Sequence, residues 1–141
     1  MKKSLPVLIL LPLVLLAACQ NTAPRYTVEC FRGADTPEEM LALFQRYWNL
    51  GEDAETGDEF MRRFKQEPAL VLKALTLATG SEREQMLILI GSRIADAKRN
   101  DQTAYAQYSA ALETAAASGL DEDSARMLTF IHANIEYWYN H

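Results

Sequence analysis

Side chains that could act as nucleophiles or metal ligands are few in this chain of 141 residues. The two cysteines are Cys19 and Cys30, and the two histidines are His132 and His141. His132 lies four residues before Glu136, a spacing that places both side chains on one face of a helix. Because zinc takes three or four protein ligands, this pair does not complete a metal site. We therefore expect a surface contact between His132 and Glu136, with no metal site and no catalytic residue.

Carboxylates cluster in the segment GEDAETGDEF, which begins at Gly51. Its acidic residues are Glu52, Asp53, Glu55, Asp58 and Glu59. Oxygen ligands do not recur there at the positions that a D-x-[DN]-x-[DN]-G calcium loop requires. One interpretation is a solvated loop whose negative charge favours the start of the next helix. The alternative is an acidic surface that binds a protein partner.

The chain ends in IEYWYNH, where three aromatic residues are consecutive. Consecutive helical residues point about 100° apart, so Tyr137, Trp138 and Tyr139 cannot all face one core. Trp138 continues the apolar line of the last predicted helix, and at least one tyrosine should be exposed. Because aromatic residues are common at protein interfaces, Tyr137 and Tyr139 are candidate partner-binding residues. Packing of the chain end against a neighbouring helix is the alternative.

An uncharged run extends from Leu5 to Ala18 behind Lys2 and Lys3. These fourteen residues would form a helix of about 21 Å, whereas a bilayer core of about 30 Å needs about 20 apolar residues. Pro12 would also interrupt the helix near its middle. Positive charge, an apolar run and small residues in this order predict a secretory signal peptide.

The run ends at Leu16-Ala17-Ala18-Cys19, which resembles the lipobox of bacterial lipoproteins. The resemblance covers residues 1–19 only. It implies removal of residues 1–18 and attachment of fatty acyl chains, palmitate among them, to Cys19, and two such chains anchor a protein stably. Gln20 stands where an aspartate would retain the lipoprotein in the inner membrane. The resemblance therefore implies an outer-membrane anchor with the domain facing the periplasm; an ordinary signal peptide is the alternative.

Charge and cysteine content limit the partners of the mature chain. With 19 acidic and 14 basic residues, the formal net charge is −5, and loss of Lys2 and Lys3 with the signal makes it −7. This charge argues against nucleic acid and anionic lipid headgroups as partners. Cys30 would be the only thiol left, so no intramolecular disulfide is expected. A small buried side chain, a link to another chain and a reactive thiol are the alternatives for Cys30.

Helix start and stop signals run through the chain from Thr36 onward. Three capping boxes, in which a hydroxyl and a carboxylate bond each other's backbone N–H groups, are Thr36 with Glu39, Thr56 with Glu59 and Ser81 with Glu84. The prolines suited to a first helical turn are Pro37 and Pro68, and the glycines suited to helix ends are Gly51, Gly80 and Gly119. Apolar residues at helical spacing between these signals predict five or six helices.

Helix starts at Ser81, Asp101 and Asp121 are 20 residues apart, and short connections make successive helices antiparallel. We predict an all-α fold, which is either a compact bundle of five or six antiparallel helices or a short helical-repeat stack. A short extended arm, YTVECF, precedes it at residues 26–31. The predicted organisation is a signal peptide at 1–18, a lipidated tether at 19–25 and a single helical domain at 26–141.

Taken together, these features predict a lipoprotein, not an enzyme, anchored to the outer membrane through Cys19. Its helical domain would make protein contacts in the cell envelope, in an assembly, scaffold or docking role, and would need no cofactor beyond the covalent lipid. One alternative is a periplasmic inhibitor or immunity-type protein that acts through the acidic segment. Another is an envelope hydrolase that uses carboxylates and His132.

Overall fold

Six helices make up most of the chain that the structure, a computed structural model, describes. The described residues are 33–49, 51 and 54–141, without the side chains of Arg46, Tyr47 and Asn49. The helices are α1 (Pro37–Asn49), α2 (Ala54–Gln66), α3 (Pro68–Leu77), α4 (Gly80–Asn100), α5 (Gln102–Ala117) and α6 (Glu122–Asn140). No strand occurs in this part of the chain, and the predicted all-α fold is confirmed. The predicted arm with Cys30, the lipobox with Cys19, and Glu52 and Asp53 lie outside the described residues.

Helix α1 begins with the predicted capping box at Thr36. The backbone N–H of Glu39 donates to Thr36 Oγ1 over 3.2 Å, and the backbone N–H of Thr36 donates to Glu39 Oε2 over 3.3 Å. Pro37 and Pro68 are the first residues of α1 and α3, where no intrahelical partner exists for the N–H that proline lacks. The capping box at Thr36 and both first-turn prolines are therefore confirmed.

The other two predicted capping boxes are wrong. Helix α2 begins at Ala54, so Thr56 lies inside the helix and is buried there. Helix α4 begins at Gly80 after Thr79, two residues earlier than a cap at Ser81 would allow, and no side-chain cap bond forms. In both cases the helix extends in the N-terminal direction past the predicted cap, because the hydroxyl–carboxylate spacing alone does not fix where the first turn begins.

Aspartate side chains cap the last two helices at the predicted starts. Asp101 accepts a hydrogen bond from the backbone N–H of Ala104 over 3.0 Å, and Asp121 accepts one from Ser124 over 2.8 Å. Each satisfies an N–H group that a helix start leaves without an intrahelical partner. Gly51 and Gly119 follow the ends of α1 and α5 with positive φ, as predicted for helix-stop residues. Gly80 also has positive φ, but it is the first residue of α4, so its predicted place at a helix end is wrong.

Helix α3 lies at the centre, since all five other described helices contact it. Its side chains Val71, Leu72 and Leu75 are fully buried in a single hydrophobic cluster to which every described helix contributes. In a helical-repeat stack each unit contacts only its neighbours along the chain, so contacts of α3 with both α1 and α6 indicate a compact bundle. Among the described residues, no helix has both the length and the apolar character needed to cross a bilayer.

Helices α4 and α6 form the most extensive helix pair in the described part of the chain. Gly91 lies against Asn134, and Arg99 contacts Trp138. The two helices therefore run in the same direction, as the two chain reversals on either side of α5 require. Gly91 permits the close approach, because a Cβ at this position would lie 2.5 Å from the Cβ of Asn134.

Candidate functional site

The acidic residues at the start of α2 differ in what they contact. Glu55 is exposed in the first turn. The side chain of Asp58 is 69% exposed and pairs with Arg93 of α4 over 2.9 Å. Glu59 is only 6% exposed and accepts a hydrogen bond from Arg62 Nε over 2.7 Å. Glu59 is therefore part of the protein interior, and it does not contribute to the acidic surface for which it was a candidate.

Glu59 and its neighbours form a group of charges with contacts inside the protein. The hydrogen bond that Arg62 donates to the Glu59 carboxylate raises the pKa of Arg62 above its ordinary value. Arg63 is buried, donates to the carbonyl oxygen of Ala34, and pairs with Glu67 over 2.7 Å. Arg63 thus ties the segment before α1 to the end of α2. No local pattern predicts this contact, because either of the two consecutive arginines, Arg62 and Arg63, could have faced solvent.

The C-terminal half of α6 presents aromatic rings to solvent. Tyr137 is 54% exposed and Tyr139 is 39% exposed, in agreement with the expectation of at least one exposed tyrosine. Trp138 is half-buried and meets the Tyr137 ring edge-on, with 5.3 Å between centroids. His141 stacks on Tyr137 at 4.5 Å. Tyr137 is thus the centre of an accessible aromatic cluster.

Two cations of α4 contact the end of α6. Lys98 Nζ lies 4.0 Å from the centroid of the Tyr139 ring and 3.2 Å from a carboxylate oxygen of Glu136. Arg99 donates to the carbonyl oxygen of Trp138, in the last turn, where helical carbonyls have no intrahelical partner. Tyr139 therefore takes part in the α4/α6 contact, whereas Tyr137 is the more accessible of the two candidate tyrosines.

A groove of about 440 Å³ lies between the N-terminal half of α4 and the C-terminal half of α6. We call it the α4/α6 groove. Its lining includes Arg83, Glu84 and Ile88 from α4, and Phe130, Asn134, Tyr137 and Trp138 from α6. Phe130 is 40% exposed, so two large aromatic residues, Phe130 and Tyr137, stand open to solvent along one side. The lining therefore combines apolar and aromatic side chains with Arg83, Glu84 and Asn134, and the volume is large enough for side chains of another molecule.

The polar groups of the α4/α6 groove are mostly engaged within the protein. Arg83 donates from Nε to the Leu75 carbonyl over 3.0 Å and from Nη2 to the Thr76 carbonyl over 3.2 Å, at the C-terminal end of α3. Asn134 donates its amide to the Phe130 carbonyl over 3.0 Å, which leaves the side-chain oxygen of Asn134 as an acceptor.

Glu84 differs from these residues. Its side chain is exposed, and it has no hydrogen bond or ion pair with any described residue. Among the described residues that line the groove, it is therefore the charged side chain that can accept hydrogen bonds from another molecule without breaking a bond to this part of the chain.

Nothing matches this chain among protein-family models, curated proteins or solved structures. The properties of the α4/α6 groove itself are therefore the basis for assigning its role. Those properties are exposed aromatic rings, a half-buried tryptophan and a carboxylate without a partner among the described residues, all on two tightly packed helices.

The sequence identified only part of this groove. Phe130, which is exposed in the groove, is not among the residues that the sequence singles out. A signal was present, since Phe130, Asn134 and Tyr137 recur at intervals of four and three residues, which is one face of a helix. The α4 side, with Glu84 and Ile88, gave no signal because it depends on which helix packs beside α6.

The remaining sequence candidates stand apart from the groove. His132 is exposed, and Glu136, its predicted neighbour on the helix face, pairs with Lys98 of α4. No group of three or more His, Cys, Asp or Glu side chains that could hold a metal ion occurs within the described ranges.

Proposed function

We propose that this protein is an outer-membrane lipoprotein whose helical domain binds another protein of the cell envelope. The observation that carries the proposal is the α4/α6 groove, where Phe130 and Tyr137 are exposed on two helices that pack extensively against each other. Exposed apolar patches rimmed by polar residues are typical of interaction sites, and tyrosine, tryptophan and phenylalanine are enriched in protein interfaces. Such a domain serves an assembly, scaffold or docking role.

The membrane part of the proposal depends on residues 1–19. Their resemblance to a lipobox supports cleavage before Cys19 and acylation of that residue, with Gln20 favouring the outer membrane. A tether at residues 19–25 then holds the domain beside the bilayer on the periplasmic side. The net charge of −7 that remains after loss of Lys2 and Lys3 repels anionic headgroups, which favours a protein as the partner. No cofactor other than the covalent lipid is required.

Two measurements test the proposal in cells that naturally produce the protein. Metabolic labelling with palmitate should label the wild-type chain, and membrane fractionation should recover that chain in the outer membrane. The Cys19→Ser variant should lose both the label and the membrane association. Crosslinking in living cells, followed by mass spectrometry, should recover an envelope protein joined to the domain. Label on Cys19→Ser would refute the anchor. Absence of any protein adduct would refute the interaction role.

An inhibitor role through the acidic segment finds less support in the described residues. Glu59 is buried against Arg62, and Asp58 is paired with Arg93. Only Glu55 of the described carboxylates in this segment is exposed without a partner in the described part of the chain. The aromatic groove therefore offers the larger accessible surface.

A further inference from the structure

We infer that the α4/α6 groove binds an amphipathic helix that carries apolar side chains on one face and a lysine or arginine opposite Glu84. This inference rests on the proposed function and specifies the partner. Leu77, Phe130, Tyr137 and Tyr139 are the exposed large hydrophobic residues of the described chain. Two of them, Phe130 and Tyr137, line this one groove.

The shape of the groove favours a helix. Its walls are two helices that run in the same direction and are held together at Gly91. A third helix, with apolar side chains spaced three and four residues apart along one face, can place those side chains into such a groove. Peptides that bind as an added strand need an exposed sheet edge, and the part of the chain described here contains no sheet.

The charges of the groove select a basic partner. Arg83 donates from Nε and Nη2 to two carbonyl oxygens at the negative end of α3, so these two donor atoms are already engaged within the protein. Glu84 has no such partner in the described part of the chain, and the side-chain oxygen of Asn134 remains an acceptor. The chain as a whole carries a net charge of −5. A second copy of this acidic chain therefore complements the groove less well than a basic segment does.

Site-specific photo-crosslinking of the full chain in its native cells tests the inference. A photoreactive amino acid replaces Ile88 or Tyr137 in the groove and, as a control, Ala110 on the exposed side of α5. We expect protein adducts at both groove positions and none at Ala110. The crosslinked peptide should fall in a segment with apolar residues at helical spacing and a net positive charge.

Charge reversal makes the test specific. Glu84→Lys should reduce the groove adducts at least about fivefold, as loss and reversal of one ion pair at an accessible site predict. Glu113→Lys changes the charge by the same amount on the exposed face of α5 and should leave the adducts unchanged. Circular dichroism of each variant verifies that the helical fold is intact.

The outcomes separate this inference from the proposed function. Adducts with a second copy of the chain, with lipid or with an acidic segment would overturn the inference, as would groove adducts that Glu84→Lys leaves unchanged. Protein adducts at Ala110 alone would refute the groove while leaving an interaction role in place. Absence of protein adducts at all three positions would refute both.

Discussion

The first half of α2 and the second half of α6 were both candidate partner-binding regions, and their side chains have different environments. In α2, Glu59 lies inside the protein against Arg62, and Asp58 reaches across to Arg93. In α6, Tyr137 remains more than half exposed beside Phe130. The charged region is therefore largely committed to holding the bundle together, whereas the aromatic region remains available to another molecule.

This difference shows that residue type alone is a poor guide to an accessible site. A run of carboxylates is expected at the surface, yet one of them is buried here because an arginine one turn away compensates its charge. Aromatic residues are expected in a core, yet the core beneath α6 is already filled by aliphatic side chains, among them Ile131 and Ile135. Tyr137 and Phe130 are left outside it.

The largest expected effect compares one substitution in the two regions. Phe60 of α2 is fully buried, and its ring centroid lies 5.2 Å from that of Phe44. Phe60→Ala should lower the free energy of unfolding by about 3–5 kcal/mol, because it removes buried area and leaves a cavity. Phe130→Ala in α6 should cost only about 0.5 kcal/mol. Urea unfolding followed by circular dichroism measures both values, and equal losses would contradict the contrast between the two regions.

A second prediction concerns the inner side of α6, which packs on α4 at Gly91. Gly91→Ala places a Cβ 2.5 Å from the Asn134 Cβ and 3.0 Å from its backbone carbonyl carbon. We expect overpacking to lower the free energy of unfolding by about 1–3 kcal/mol, even though alanine is more favourable than glycine inside a helix by about 1 kcal/mol. Ser92→Ala, the next residue of the same helix, is the matched control and should change stability by less than about 0.5 kcal/mol. Thermal unfolding of both variants measures these losses. A loss for Gly91→Ala no larger than that for Ser92→Ala would contradict a close contact between α4 and α6 at Gly91.

The third prediction compares two neighbouring carboxylates of α2. Glu59→Gln removes the charge of a side chain that is 6% exposed and should cost about 1–3 kcal/mol, since the hydrogen bond with Arg62 is weakened in a site with little water. Asp58→Asn breaks a pair in which the aspartate is 69% exposed and should cost about 0.5 kcal/mol or less. Chemical unfolding at neutral pH measures both losses. An Asp58→Asn loss as large as that of Glu59→Gln would show that the two carboxylates are equivalent.

Local signals in the sequence predicted most helix boundaries correctly where a side chain or ring acts directly on the backbone. Pro37 and Pro68 fix the first turns of α1 and α3, and Asp101 and Asp121 cap α5 and α6. The predicted cap at Thr56 failed because α2 begins two residues earlier, at Ala54. The start of α2 at Ala54 depends on how the helix packs against the core, and the local sequence carries no information about that packing.

The candidate site was less predictable because it belongs to a pair of helices. The exposure of Tyr137 follows from three consecutive aromatic residues on one helix, which is local information. Glu84 and Ile88 become part of the same groove only because α4 packs beside α6, two helices away along the chain. The burial of Glu59 likewise depends on which side of α2 faces the core. Both features are tertiary, and the helical period of a single segment does not determine them.

The smallest expected effect concerns Asp121, an exposed carboxylate that nevertheless has partners. Its hydrogen bond from Lys73 Nζ, at 2.6 Å, and then that from the Ser124 backbone N–H lower the pKa of Asp121 from 3.8 to about 2. Because the folded pKa is the lower one, the stabilisation is present above about pH 4 and is lost as the pH falls toward 2. Asp121→Asn keeps a capping side chain without the charge. It should flatten the pH dependence of the unfolding free energy in this window.

Asp101→Asn is the matched control for this last prediction, because Asp101 caps α5 without an ion pair in the described chain. Its effect on the pH dependence between 2 and 4 should be smaller than that of Asp121→Asn. Carboxyl NMR titration of the wild-type chain measures the pKa of Asp121 directly. If both variants leave the same pH dependence, the pair with Lys73 contributes nothing in solution. The start of α6 would then depend on its cap alone, whereas the buried carboxylate of Glu59 in α2 depends on its pair with Arg62.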